Sequence, residues 1–466
     1  MNHQSTIPSA MLTPTTAHIK VCDAIMGSGK TSAAIHYMVE HSDRRYMYVA
    51  PRLSEDDRIV RSCPTLQFNM PDNKDQDGAT KLSRLKSLMH RGRNVAITHA
   101  LFALCDDNVC DLMKEHGYTL IIDEVVNILS EAKITQKDVE AMITNGFASV
   151  DKDGYVTVAP DYVDGEHGNA FRAALNLARS HKLFLCGTKK YLTWVVSDRM
   201  LRAAEEVYVL TYMFEKSSMF CFLKKSGLEY SKIYVDSDGA GDFWFAEKLS
   251  FIPSYVGHLS ELIKIVDIPR LNGIGNDSYA LSKSWWEKQS KEYKRLAIYN
   301  RKTKTYRDTE LSRNTPMGIM RRNIYSYFMY EHRDIPAEDK LCGGFKITED
   351  CIKRKGFLDS FLVFNATAMN DYGNRHILAY PVNVFLPQEL SAYNKAVNMT
   401  AKEDDFALTT MIQWIWRSAI RNGEPIELYL PSARMRRILT EWIAETEACY
   451  HTFYKTAEDR AQEVAA

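Results

Sequence analysis

The chain has 466 residues, 45% hydrophobic and 25% charged, with 59 Lys and Arg against 59 Asp and Glu and a mean hydropathy of −0.31. That length exceeds one ordinary core and implies two or three domains, and the even charge balance excludes a uniformly basic protein, so any polyanion surface must be local. No run of about 18 apolar residues occurs, and the nine cysteines are odd in number with no Cys-x-x-Cys pair, which predicts a soluble cytoplasmic chain with reduced thiols and no membrane span.

The first element is a short strand over His18 to Ala24, followed by Ala24-Ile25-Met26-Gly27-Ser28-Gly29-Lys30-Thr31 and a helical pattern from Ser32 to Val39. A glycine loop at a strand-to-helix turn lets backbone N–H groups close around phosphate oxygens. Gly27, Ser28, Gly29, Lys30 and Thr31 are therefore the candidate nucleotide-binding residues, with Lys30 for the β/γ charge and the Thr31 hydroxyl for Mg²⁺. Further apolar runs at Tyr46–Ala50, Val95–Thr98, Thr119–Asp123 and Leu183–Gly187 are each reached through a more polar helical stretch. This alternation predicts a parallel sheet with helices on both faces and functional residues at the carboxyl ends of the strands.

One of those ends carries two adjacent carboxylates, Asp123 and Glu124. A charge directly after a buried strand is costly unless it meets a cation or water, which suits Asp123 as a Mg²⁺ holder and Glu124 as the group that orients or deprotonates water. The run Val207–Tyr212 should complete or border the first sheet. Beyond it the texture changes, and glycine-rich loops at Asp236–Asp242 and Asn272–Asp277 mark residues 215–340 as a border with an inserted accessory region. Within that region Lys283 to Arg307 holds nine basic residues against Glu287 and Glu292, interleaved with Trp285, Trp286, Tyr293, Tyr299 and Tyr306. The combination fits a single-strand surface, and it equally fits a solvated helix whose aromatics face inward.

Strands resume at Phe361–Ala368, His376–Phe385 and Ile426–Leu430. Between the last two lies Thr410 to Arg421, where Gln413, Arg417 and Arg421 are four residues apart and would project from one face of a helix ending at Asn422-Gly423. An amide and two guanidiniums so aligned can serve a γ-phosphate and its attacking water.

Taken in order, these motifs resemble the superfamily 2 helicases, the DEAD/DEAH-box-like group, and especially those encoded by phages. Ala24–Thr31 is similar to motif I, Asp123-Glu124-Val125-Val126 to motif II, and Gln413 to Arg421 to motif VI, with Trp416 in place of the usual glycine. Ala50-Pro51-Arg52 resembles motif Ia, Thr98-His99 the next strand-contacting motif, Cys186-Gly187-Thr188 motif III, and Asn365-Ala366-Thr367 motif V. The resemblance implies an α/β fold of two tandem RecA-like domains with mainly parallel sheets, residues 1–214 and 341–455, followed by a polar tail over 456–466. ATP and Mg²⁺ would lie between the lobes. Lys30, Glu124, Gln413, Arg417 and Arg421 would be catalytic, while Pro51, Arg52, Thr98, His99, Thr188 and Thr367 would contact nucleic acid. The implied activity is an ATP-dependent helicase or translocase acting on single-stranded or partly duplex nucleic acid, DNA in preference to RNA, alongside phage replication or recombination proteins in the host cytoplasm. An ATP-gated binding or remodelling factor that does not unwind is the alternative.

Overall fold

The computed structural model describes residues 18–465 except 72–79, 125–128, 132–135, 153, 163–170, 181, 187–189, 195–196, 355–356, 358, 367–371, 388–389, 392–393 and 395–401. The described residues fall into two units, one running to Asp23 and again over Lys30–Lys248, the other over Ala24–Gly29 and from Leu249 onward. Each is built on a mainly parallel sheet, as the alternation of apolar runs predicts.

In the first unit seven strands lie in the order Phe243–Ala246, Tyr230–Ser237, His18–Asp23, Glu206–Thr211, Tyr118–Asp123, Arg45–Ala50 and Val95–Thr98. All pairs are parallel except the edge pair made by Phe243–Ala246. Tyr118–Asp123 is buried along its whole length, the expected state of a central parallel strand covered on both faces. Its start is fixed locally. The preceding helix, Asp107–His116, is capped by the Asp106 side chain, which accepts from the Val109 N–H, and closes at Gly117 with φ +62°, a left-handed cap that turns the chain into the strand. Glu206–Thr211 completes the middle of the sheet; it sits between the strand that leads to the glycine loop and the strand that ends in the acidic pair. That one-strand separation is the arrangement of a RecA-like core.

Two differences from the sequence expectation concern long-range pairing. Leu183–Cys186 does not join the parallel sheet; it pairs antiparallel with Lys190–Trp194 in a three-stranded sheet completed by Leu129–Glu131. An apolar run of four residues reads the same in either setting. The segment 215–340 is not set apart as an accessory region. Tyr230–Ser237 and Phe243–Ala246 extend the first sheet, whereas Ile263–Val266 pairs with Ile426–Tyr429 at the edge of the second. The change of texture near 215 thus marks an edge of a sheet, with the border between units at 248/249.

The second unit has a five-stranded, wholly parallel sheet in the order Ile263–Val266, Ile426–Tyr429, Ile377–Ala379, Lys340–Gly344 and Phe361–Val363. The helix Glu403–Ile415 opens on three acids, favourable at the positive end of its dipole, and buries Ala407, Leu408, Met411, Ile412, Trp414 and Ile415. Its approach to the sheet is close: a Cβ on Gly343 would come within 2.8 Å of the Tyr380 ring and 3.1 Å of Trp414. Gly343 is therefore required there for packing.

Candidate nucleotide site and its relatives

The His18–Asp23 strand delivers the chain into Ala24–Gly29, where Gly27 and Gly29 adopt φ +81° and +87°, a region that a Cβ disfavours. The Ser28 N–H donates to the Ile25 carbonyl at 3.3 Å and closes the turn. Ser28 is buried, and its hydroxyl has no hydrogen-bond partner among the described residues. A buried hydroxyl left open beside glycines fits a ligand rich in oxygen.

Lys30 opens the helix Lys30–Glu40, whose Ala33, Ala34 and Met38 pack inward and leave its N-terminal end toward the loop. Loss of hydration pulls the Lys30 ammonium below its usual range, against the opposing pull of Cys22, Asp123, Glu124 and Asp23. The next residue links two distant parts of the sequence: the Thr31 hydroxyl donates to Asp123 Oδ2 at 2.9 Å. The same carboxylate oxygen accepts the Tyr48 hydroxyl at 2.5 Å. Burial pushes the Asp123 carboxyl up; the Tyr48 hydrogen bond pulls it down, the Glu124 charge raises it, and Thr31 and Lys30 lower it. A hydroxyl and a carboxylate, both oxygen donors, fit Mg²⁺, which keeps most of its ligands as water and substrate phosphate.

Glu124 leaves the strand with φ +59°, left-handed for a residue with a side chain, while its N–H still donates to the Leu210 carbonyl at 2.9 Å. Such a conformation costs roughly 1–2 kcal/mol relative to right-handed backbone and is concentrated at functional positions. The strand's last hydrogen bond is thus kept while the chain turns sharply at the carboxylate.

Tyr48 and the role of His99 were not among the expected site residues. A tyrosine in the otherwise apolar run Tyr46–Ala50 is the signal, because a buried phenol needs an acceptor. His99, expected at the nucleic-acid backbone, places Nε2 3.0 Å from the Asp123 carbonyl. Since a carbonyl only accepts, Nε2 carries the proton. Burial lowers the pKa of this imidazole, so His99 braces the end of the acidic strand as a neutral ring. The Thr98 hydroxyl is likewise occupied, accepting from the Leu101 N–H at 3.3 Å as a helix cap. Pro51 and Arg52 lie partly exposed where the chain enters the helix Leu53–Ser62, and Arg52 makes no ion pair among the described residues. Thr188 and Thr367 lie outside the described residues.

The four-and-four spacing of Gln413, Arg417 and Arg421 does not describe one helical face. The helix stops at Ile415; the Arg417 and Ser418 N–H groups bond three residues back, to Trp414 and Ile415. The Ser418 hydroxyl takes the Ile415 carbonyl at 2.6 Å, and the Ala419 N–H leaves for the Arg375 carbonyl. Gln413 therefore sits in the last helical turn, Arg417 beyond it at 7% exposure, and Arg421 exposed in the short turn Ala419–Asn422. Gly423, at φ +76°, closes that short turn and not the long helix.

A family model described as the YonV C-terminal Rossmann-like domain matches residues 257–443. The SPbeta prophage-derived uncharacterized protein YonV of Bacillus subtilis (strain 168) is 31% identical over 431 residues, covering 91% of this chain and 98% of that protein. Among solved structures, XPD_APO aligns with a TM-score of 0.44 at 12% identity over 93% of this chain and 96% of that one. The structure of S. tokodaii Xpd4 aligns with a TM-score of 0.42 at 12% identity, over 91% and 94% respectively. The near full-length match to the prophage protein is of another order, and on it the chain belongs to the YonV family.

Proposed function

We propose that this chain is an ATP-driven nucleic-acid helicase or single-strand translocase. The observation that carries the reading is the 2.9 Å hydrogen bond from Thr31 to Asp123, which joins the end of the glycine loop to the carboxyl end of a buried strand 92 residues away. In this reading the loop amides and Lys30 hold the phosphates, and Thr31 and Asp123 hold Mg²⁺, which supplies charge neutralisation on the phosphate oxygens when bound. Glu124 accepts the proton of the attacking water. Gln413 orients that water, while Arg417 and Arg421 offset the charge that develops on the γ-phosphate. Pro51, Arg52, Thr98, His99, Thr188 and Thr367 are proposed contacts to the sugar-phosphate backbone, which makes binding largely independent of sequence and sensitive to salt. A single DNA strand, in phage replication or recombination, is the proposed substrate.

The test is ATP hydrolysis by the full chain with and without single-stranded DNA, duplex DNA and RNA, with Lys30→Ala as the control. Hydrolysis stimulated by single strands and abolished by K30A supports the proposal. Hydrolysis indifferent to every polymer sinks the translocase. Stimulation without strand displacement on a forked substrate replaces it with an ATP-gated binding or remodelling factor.

A further inference from the structure

The basic and aromatic segment Lys283–Arg307 is resolved by the structure into two parts with different fates. Its helix, Lys283–Leu296, turns Trp286 and Tyr293 inward to full burial, and the Trp286 indole donates to the Pro381 carbonyl at 3.0 Å. Those rings are core. The hairpin that follows, Ile298–Asn300 paired with Thr305–Arg307, is different: all three residues of its first strand are exposed, Tyr299 to 48%.

Nothing about that hairpin is loose at its base. A ladder of rings leads from the core to the surface, with Tyr293 6.2 Å from Tyr306 and Tyr306 5.0 Å from Tyr299, centroid to centroid. Tyr299 and Tyr306 are directly opposite in the register, so they share one face of the ribbon. Beneath them Arg321 forms a buried ion pair with Asp308 and donates to the Tyr306 carbonyl at 2.5 Å and the Cys351 carbonyl at 2.6 Å. The Tyr293 hydroxyl donates to the same Asp308 at 2.7 Å. An isolated two-stranded ribbon is marginal in water, and this one is held in place by a buried charge pair.

The hairpin's charge is of one sign. Arg301, Lys302, Lys304 and Arg307 are all exposed, with no acid from Ala297 to Arg307, and none of the four makes an ion pair among the described residues. The neighbouring acid, Asp308, is already buried against Arg321. On the preceding helix, Lys288, Lys291 and Arg295 recur at spacings of three and four, exposed and likewise without ion pairs among the described residues. At the tip, Asn300 Oδ1 accepts the N–H groups of Lys302 and Thr303 at 3.0 and 3.4 Å, and Lys304 takes φ +52°, where glycine would be less strained. A cation is kept there at a conformational cost.

We propose that this hairpin is a docking site for single-stranded nucleic acid, with Tyr299 as a stacking platform for an unpaired base and Arg301, Lys302, Lys304 and Arg307 on the adjacent phosphates. Free cations beside a rigid exposed ring match that ligand: the phosphates satisfy the charge, and only an unpaired base presents its face to the ring. The site lies outside the motifs invoked above for backbone contact. It deepens the nucleic-acid part of the proposed function, and it does not depend on the assignment of the ATP residues.

The test is direct binding of the full chain, without nucleotide, to fluorescein-labelled dT20 and rU20 by anisotropy across a salt series. Tyr299→Ala should weaken single-strand binding roughly 5- to 100-fold, Tyr299→Phe should restore it, and neither should change affinity for a blunt 20-base-pair duplex. The triple variant R301Q/K302Q/R307Q should reduce the slope of log affinity against log salt by about 2, at roughly 0.7 per phosphate contact. Lys304→Gly should raise the melting temperature while lowering that slope by about 0.7, a pair of opposite signs that damage to the fold cannot imitate. Single-strand affinity unaltered by Y299A overturns the proposal, as does an equal loss of duplex binding. Displacement by polyglutamate as readily as by dT20 would identify the hairpin as a general polyanion or protein contact and overturns it too. Because no hydrolysis is measured, failure of the ATPase reading leaves this result standing, and the converse also holds.

Discussion

Replacing Tyr48 by Phe removes one oxygen atom and asks whether the buried phenol tunes the carboxylate assigned to Mg²⁺. The Tyr48 hydroxyl donates to Asp123 Oδ2 at 2.5 Å, and both groups are shielded, Tyr48 completely and Asp123 to 8% exposure. A buried hydrogen bond to a charged acceptor contributes about 1.5–3 kcal/mol, and losing a partner that orients a metal-binding side chain typically costs about 10- to 100-fold in metal affinity. Y48F leaves Thr31 as a donor to that oxygen, so the carboxylate should lose its alignment and keep its place. In steady-state ATP hydrolysis titrated with free Mg²⁺, the half-saturating concentration should rise about 10- to 100-fold, while kcat at saturating Mg²⁺ stays within a few-fold of the parent. A variant that melts like the parent and needs no more Mg²⁺ would refute the reasoning. Either Asp123 does not hold the cation, or Tyr48 does not align it.

Asp56 offers a stability test with a definite sign. It is 1% exposed, neither carboxyl oxygen has a hydrogen-bond partner among the described residues, and burial, helped by Asp57 and Glu55 and opposed by Lys81, pushes it up to about 8. Unfolded, the group gives up its proton near pH 4; folded, it keeps it until about pH 8, so the native state holds the extra proton between those values. Stability therefore falls as pH rises through that window, by at most about 1.4 kcal/mol per unit, and Asp56→Asn should flatten the trend in urea melts at pH 5, 6.5 and 8. An unchanged slope would show that Asp56 is ionised in the folded chain. Arg417→Ala should retain nucleotide binding and lose turnover by about 10³- to 10⁵-fold, measured by equilibrium binding of a fluorescent ATP analogue beside single-turnover hydrolysis. Because Arg417 is largely buried, a urea melt must accompany it, and equal loss of binding and turnover would remove the residue from the γ-phosphate.

How much of this was visible beforehand depends on the range of the interaction that decided each feature. The glycine loop, the acidic pair and the central strands are local signals. Gly27 and Gly29 are required by backbone geometry at their own positions, and Tyr118–Asp123 announces its burial by its own apolar run. The break after Ile415 was not legible, because the spacing of Gln413, Arg417 and Arg421 continues through it. Past the break the Ala419 N–H pairs with the Arg375 carbonyl, some forty residues away in sequence, a partner that local spacing does not reveal. The antiparallel setting of Leu183–Cys186 and the absorption of Tyr230–Ser237 into the first sheet are likewise decided by partners that composition does not name. The contact that His99 makes was not legible for a related reason. Its sequence neighbours resemble a strand-contacting motif, yet its ring is directed to the backbone of Asp123.

Glu124 places the demands of folding and of chemistry in opposition. At φ +59° the backbone favours glycine, or asparagine, over glutamate. Substitution by glycine or asparagine at this position would therefore relax the turn. Within the family, a variant that gains thermal stability by losing this carboxylate is the one to suspect of being inert, and screens that select on solubility or melting temperature would enrich for it. A carboxylate persisting here across divergent relatives would accordingly mark a demand strong enough to offset the strain of the turn.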